Sequence, residues 1–349
     1  MLNIAFLIKG SINDNRGTPI RIRNLITGFL GNGCSVSCSS SERVNEINDP
    51  NFLDLAIPSE SVKSADAVLV LNANGLWEHR KYLYKFDKTI ICDLHSLRSI
   101  ELASHSIRAS LKSLLIEIWA LIFIWKKRVI CLSVNRNLLK LLCLRKKRGI
   151  WFPASTGHID SVEELKYGSQ FTIYYSGNLR RYQGVEFLIN SFQEINSLRE
   201  FKLEVCTSDN PSDLELFEQQ DIELLLNYKP LEALESCAKA HVAIVPRRRS
   251  FSTLLTFPSK LVEYLGCGTL VVASSSAPML PPELEQYVVR YKTGNQLSLT
   301  KSLEKTKDLL LNSKSLREKQ LNEVLNNWTY DKLTQRICLM IEGNQDETK

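Results

Sequence analysis

Two series of short β-branched apolar runs, each alternating with longer amphipathic stretches, predict an α/β chain of two Rossmann-like domains with doubly wound parallel sheets. The break between the series supports the same division. Residues 153–169 are rich in Gly, Pro, Ser, Thr and acidic residues and show no apolar period, which marks a linker. The length of 349 residues allows each domain its own core. The chain is therefore divided into an N-terminal domain over 1–155, a C-terminal domain over 170–330, and a helix and tail over 331–349.

In the first domain, residues 3–8, 67–71, 89–92 and 129–133 read as strands, and 20–30, 107–125 and 136–144 carry helical patterns. The opening MLNIAFLIKG has no basic start and no cleavage site before polar residues resume, so it reads as a first buried strand rather than a signal peptide. In the second domain, strands are expected at 171–175, 202–206, 222–226, 242–245 and 269–273, with helices at 184–195, 230–239 and 260–265. A last amphipathic helix follows Trp328-Thr329-Tyr330, over 331–341.

Composition narrows the class. The chain is 44% hydrophobic and 23% charged, as in globular proteins. Its nine cysteines are scattered, odd in number and set in apolar runs such as TIICDL and RVICLS, which reads as reduced buried thiols in a cytoplasmic protein. The net charge of +6 is gathered in clusters at 126–128, 145–148 and 247–249. None of the usual nucleic-acid modules accompanies them, and no nucleic-acid partner is expected. The run LLIEIWALIFIW at 114–125 is too short to span a bilayer. With its basic edge, 114–128 fits two readings: a peripheral contact with an anionic membrane surface, or a buried or partner-covered helix followed by a charged turn.

The most informative stretch is PSKLVEYLGCGTLVVAS, 258–274. Pro258 suits the first turn of a helix, Gly266 and Gly268 suit its stop, and Leu270-Val271-Val272 suit a buried strand. Glu263 then lies near the C-terminal edge of a parallel sheet, where a carboxylate can accept both hydroxyls of a ribose. An ordinary surface helix on a sheet explains the same residues.

With GTPIRIRNLITGFLGNGCSV near the start, CDLHS in the middle, YYSGNLRRYQGVEFLINSF opening the second domain and VAIVPRRRS before the PSK stretch, the order of motifs resembles the GT-B glycosyltransferases, close to the retaining family 4 enzymes. The resemblance covers nearly the whole chain. It implies two domains facing across a cleft, a hexosyltransferase-type activity, and a nucleotide diphosphate sugar donor held mainly by the C-terminal domain. It also implies transfer with retention and without a metal or other cofactor, to a glycan, lipid-linked or protein acceptor, in polysaccharide, glycolipid or glycan synthesis. The final segment is implied to cross back onto the first domain.

The residues expected to do this fall on strand-to-helix loops. Gly17 precedes the helix near Thr18-Pro19, where backbone amides can approach a diphosphate closely; Arg21 and Arg23, just after it, face either the cleft or, as arginines more commonly do, solvent. In Ser176 to Gly184, Gly177 and Gly184 bracket the basic pair Arg180 and Arg181, which suits an anion needing counter-charge with little bulk. Arg247 at the end of a strand is a further phosphate candidate. Lys260, three residues before Glu263, lies on the same helix face and either reaches the phosphates or pairs with Glu263. The resemblance implies that His95, after the strand at 89–92, lies beside the transferred sugar as the catalytic candidate. Two departures stand out. Many relatives carry an arginine and a lysine where this chain has Asn178 and Gln183, and family members typically carry an acid eight residues before Glu263, where this chain, like several subgroups, lacks it and has Leu255. A non-catalytic nucleotide-binding subunit and a sugar nucleotide epimerase remain as alternatives.

Overall fold

The computed structural model describes residues 1–9, 13, 17–40, 47–55, 57–94, 97–99, 106–127, 129–141, 149–155, 170–195, 200–209, 217, 221–250, 253–254, 256–313 and 315–346. His95, Leu255, Cys143, Arg128, the cluster at 145–148 and most of the expected linker lie outside the described residues. The chain divides into two compact units, Met1–Thr156 with Trp328–Lys349, and Gly157–Asn327.

The first unit runs β1 (Asn3–Leu7), α1 (Gly17–Gly31), β2 (Ser35–Ser39), β3 (Phe52–Asp54), α2 (Pro58–Lys63), β4 (Ala67–Leu71), α3 (Asn72–Glu78), α4 (Arg80–Leu83), β5 (Thr89–Asp93), α5 (Ile107–Lys126), β6 (Val129–Ser133), α6 (Arg136–Leu141) and β7 (Gly149–Trp151). The second continues with β8 (Phe171–Ser176), α7 (Val185–Ile195), β9 (Phe201–Thr207), β10 (Ile222–Leu226), α8 (Pro230–Lys239), β11 (Val242–Val245), α9 (Lys260–Gly266), β12 (Leu270–Ser274), α10 (Pro282–Glu285), β13 (Val288–Tyr291), α11 (Gln296–Asn312) and α12 (Leu316–Asn327). The closing helix α13 (Tyr330–Asp346) belongs to the first unit.

The first sheet has the order β3-β2-β1-β4-β5-β6-β7 and the second β10-β9-β8-β11-β12-β13, and every pairing is parallel. Each is doubly wound, with its topological switch beside its first strand, at β1/β4 and at β8/β11. Such a switch leaves a crevice at the carboxyl ends of the strands. The central strands are apolar along their whole length because both faces are covered: β4, β5, β6, β11 and β12 are buried throughout except Leu71 at the end of β4.

The strands missed from the sequence are β2, β3, β7 and β13, of which β2 alone lies inside its sheet. β2 reads SVSCS, whose serines hide the apolar run, and β3 and β7 have three residues each. In α3, NANGLWE has a glycine and two asparagines and no helical period, yet packing of Leu76 into the core imposes the helix. The segment at 107–125 divides between its two readings. One face of α5 is core, through Ala120, Phe123 and Ile124, while the opposite face is open to solvent.

Closure of the first unit rests on its last helix. Arg21 of α1 is 6% exposed and donates through Nε and Nη2 to the two carboxylate oxygens of fully buried Asp93, at 2.7 and 2.9 Å, and through Nη1 to the Tyr330 hydroxyl at 2.9 Å. Burial alone lowers an arginine pKa, but Asp93 and Tyr330 outweigh it and raise that of Arg21. Arg21 is thus a buried structural ion, not a cation free for a ligand. Gly28 lets the two helices touch, since a Cβ there would stand 2.8 Å from Thr334 Oγ1 and 2.9 Å from the Tyr330 carbonyl oxygen. Trp328 packs on Phe152 with ring centroids 5.1 Å apart, and the Ser155 N–H donates to the Trp328 carbonyl. The eight described cysteines are free, seven of them buried, and the Cys34 and Cys338 thiols stand 3.4 Å apart.

Asp93→Asn strands the Arg21 charge in the core and is expected to cost about 3–5 kcal/mol in urea unfolding, whereas Arg21→Met with Asp93→Leu recovers most of that loss. Equal instability of the single and double variants would contradict the ion-pair account.

Candidate functional site

The loops after β8 and β11 flank the switch point of the second sheet and are locked together. Gly184 takes φ +77° and its Cα lies so close to Pro246 that a Cβ would meet the Pro246 carbonyl oxygen at 1.9 Å. The Arg248 N–H donates to the Tyr182 carbonyl at 3.0 Å. Within the first loop the Tyr175 hydroxyl donates to the Asn178 carbonyl at 2.7 Å, and the Leu179 N–H donates to Asp209 Oδ2 at 2.8 Å. Gly184 then leads directly into the N-terminus of α7, where free amides and the helix dipole favour an anion. The acid in that first turn, Glu186, is neutralised by Arg248 at 2.8 Å.

Arg247 is the distinctive group. It is 4% exposed and donates to the Thr256 carbonyl and Thr256 Oγ1, both at 3.0 Å, with its guanidinium 5.9 Å from the Tyr182 ring centroid. Its Nε is buried without a partner, and no carboxylate among the described residues pairs with it. Burial lowers its pKa to about 10, against the opposing influence of Tyr182 and Tyr175. A buried cation without a counter-ion is costly, and it is what a site awaiting an anion requires.

The helix α9 brings the next pair. Ser259 is its N-cap, so Pro258 stands one residue before the cap rather than in the first turn. Its end is a Schellman turn: the Gly268 N–H donates to the Leu265 carbonyl and the Thr269 N–H to that of Tyr264. Buried Arg317 and Gln320 of α12 take the carbonyls around it, at Gly268, Leu265 and Thr269. Tyr264 fixes the helix to β8, its hydroxyl accepting from the Ser176 N–H at 2.8 Å and donating to the Ser176 carbonyl at 3.1 Å. Glu263 is consequently held beside the Gly177 turn and is 14% exposed, not on an open surface. Lys260 pairs with it at 3.2 Å, and Glu263 raises the lysine pKa. A Cβ on Gly177 would lie 3.9 Å from Lys260 Cε, so the lysine lies along the glycine turn while it pairs.

The structure thus gathers Gly177, Gly184, Arg247, Lys260 and Glu263 around one sheet edge. Arg180 and Arg181 are exposed at the rim and make no ion pair among the described residues. Gly17 is the first residue of α1 in the other unit. Sequence reasoning missed Tyr175, Tyr182, Tyr264 and Thr256, which orient the ionic groups; the only sequence signal was their place inside the motifs. It also missed a cleft of ≈ 620 Å³ at the carboxyl edge of the first sheet, whose lining includes Lys9, Trp77, Glu78, His79, Arg80 and Lys112. Here Arg80 stacks 4.1 Å over Trp77 and Lys9 pairs with Glu78 at 3.2 Å.

Residues 170–300 match the family model described as glycosyl transferases group 1. Among solved structures, sucrose-phosphate synthase from Thermosynechococcus elongatus superposes with TM-score 0.71 at 13% identity, covering 99% of this chain and 100% of that one. HepE of Anabaena in complex with UDP gives 0.67 at 10%, covering 98% and 100%. The UDP-N-acetylglucosamine 2-epimerase-like protein of Listeria monocytogenes gives 0.56 at 13%, covering 100% and 97%. The fold is GT-B, and the stretch that matches the glycosyl transferases group 1 model lies within the second unit. A search of curated protein sequences finds no match. The matched span contains the whole β8/β11 edge, Arg247 and the Lys260–Glu263 pair.

Burial holds the Arg247 pKa at about 10 in the fold, below its value in the unfolded chain, so its burial opposes folding at neutral pH and stability rises as pH passes 10. Arg247→Met is expected to raise the thermal midpoint of the ligand-free protein and to abolish the further rise that a nucleoside diphosphate gives wild type. A variant whose midpoint still responds to the nucleotide removes Arg247 from the site. Gly184→Ala is expected to lose more than about 2 kcal/mol, beyond the ordinary left-handed penalty, because the new methyl meets backbone; denaturant unfolding measures it.

Proposed function

We propose that the chain is a hexosyltransferase-type enzyme that moves a sugar from a nucleoside diphosphate sugar to an acceptor hydroxyl, with retention and without a metal. The observation that carries the reading is Arg247, a buried guanidinium without a carboxylate partner, at a sheet edge that the glycosyl transferases group 1 match includes. The solved structures of HepE in complex with UDP and with UDP-glucose support a nucleotide sugar as donor.

In this reading the Glu263 carboxylate accepts the ribose hydroxyls, and Gly177 and Gly184 leave room for the diphosphate against the amides of α7. Negative charge grows on the leaving diphosphate as the glycosidic bond breaks. Arg247 and Lys260, with Arg180 or Arg181 from the rim, are fixed donors that meet this charge without reorganising, which is how preorganised electrostatics lowers a barrier. The Lys260–Glu263 pair fits the scheme, since a pair already formed holds both side chains in position for the ligand. The first unit takes the acceptor, with Gly17 and His95 assigned to the transferred sugar and its phosphates. The reaction belongs to polysaccharide, glycolipid or glycan synthesis in the cytoplasm.

Leu255, where family members typically carry an acid, favours a second reading: a nucleotide-binding subunit that does not turn over. Release of nucleoside diphosphate from a panel of UDP-, GDP- and ADP-sugars separates the two. Lys260→Ala and Glu263→Ala are each expected to lower kcat/KM about 10–100-fold, the worth of a charge-assisted hydrogen bond. EDTA is expected to leave the rate unchanged, and NMR of the product to show the anomeric configuration of the donor. Binding without release supports the subunit, full activity in both variants discards the site, and an epimerised sugar nucleotide supports the epimerase that shares this fold.

A further inference from the structure

We propose that α5 is a membrane-docking helix that lies in the surface of an anionic bilayer. Seven of its large apolar residues are exposed: Ile107, Leu111, Leu114, Leu115, Ile118, Ile122 and Trp125, between 44% and 75%. At 100° per residue they fall within an arc of about 100°, a continuous stripe along a helix about 30 Å long. A contiguous exposed apolar stripe of this kind marks an interaction surface.

The charges select the occupant. Arg108, Lys112 and Lys126 are all exposed, and on the helical wheel they line the same edge of the stripe. The one acid of the helix, Glu117, is turned inward, 8% exposed, where its carboxylate accepts from the Ser99 N–H and hydroxyl. The outward surface of α5 therefore carries apolar groups and cations but no carboxylate. A partner protein or a second copy of this chain requires complementary shape and charge, whereas an anionic lipid surface requires only this pairing of an apolar face with a cationic border. Among the described residues no helix is long and apolar enough to cross a membrane, so the contact is peripheral.

The helix is built to bear such a contact. Trp119 on its inner flank packs edge to face on Trp77 at 5.0 Å and stacks on Phe123 at 5.2 Å, while Ala120, Phe123 and Ile124 are in the core. The stripe is thus fixed in place. Lys112, on the cationic edge, and Ile116 also line the cleft at the carboxyl edge of the first sheet. Docking through the stripe sets that cleft beside the headgroups.

Cosedimentation with vesicles tests the proposal in the absence of donor, so its outcome is independent of transferase activity. Wild type is expected to bind vesicles of phosphatidylcholine and phosphatidylglycerol in equal parts about 100-fold more tightly than pure phosphatidylcholine, the preference that three surface cations supply. The triple variant Leu111→Gln, Leu115→Gln, Ile118→Gln, at exposed positions, is expected to lose vesicle binding while keeping its circular dichroism and thermal midpoint. Arg108→Gln with Lys126→Gln, which leaves Lys112, is expected to cut the anionic preference to about 5-fold. Failure of wild type to sediment with the anionic vesicles overturns the proposal, as does undiminished binding by the triple variant. A dimer in light scattering that the triple variant dissociates also overturns it, by making a second copy the occupant.

Discussion

The Arg21 guanidinium holds together segments distant in sequence. It sits on α1, is clamped by the aspartate that ends β5, and receives the tyrosine that begins α13. An ion pair this deep stabilises a fold only when its hydrogen bonds are satisfied and its geometry is good, and here both carboxylate oxygens and the phenol are engaged. The consequence is topological. With the last helix held in the first unit, the entire second unit becomes a loop out of the first, entered after residue 156 and left before residue 328.

Arg247 shows the opposite use of a buried arginine. Slightly less exposed than Arg21, it has a threonine and the Tyr182 ring beside it and no carboxylate among the described residues. One cation is raised in pKa by its partner and the other lowered by its burial. Stability accounts for the first. The second has no carboxylate partner among the described residues, so its burial is destabilising in the free protein, which is why the proposal of an anionic ligand rests on it rather than on the exposed Arg180 and Arg181.

The two sheets present different chemistry at their carboxyl edges. The second offers tight glycine turns, a buried cation and a lysine–glutamate pair, suited to an anionic ligand of fixed shape. The first offers an open cleft walled by a tryptophan with an arginine stacked on it, beside a helix whose outer face is apolar. Shared winding order with different loop chemistry is expected of this architecture, because the sheet fixes where the loops end and leaves their composition free.

The sequence by itself determined the two parallel sheets, the central strands within a residue or two, and the candidates around Pro258 to Ser274, because buried strands and helix stops leave local signatures. It did not reveal α3 or the strands β2, β3, β7 and β13, which are too short or too mixed in composition to give a period of their own. It left Arg21 among possible ligand groups, since nothing in GTPIRIRN tells which arginine meets Asp93 across 72 residues. In the PRRRS run the strand end already singles out Arg247, and the tertiary structure adds what the sequence does not show, the burial of Arg247 and the pairing of Arg248 with Glu186. Periodicity encodes which face of an element is covered. What covers it, and which charge is left without a partner, depends on contacts between distant segments and was decided by the fold.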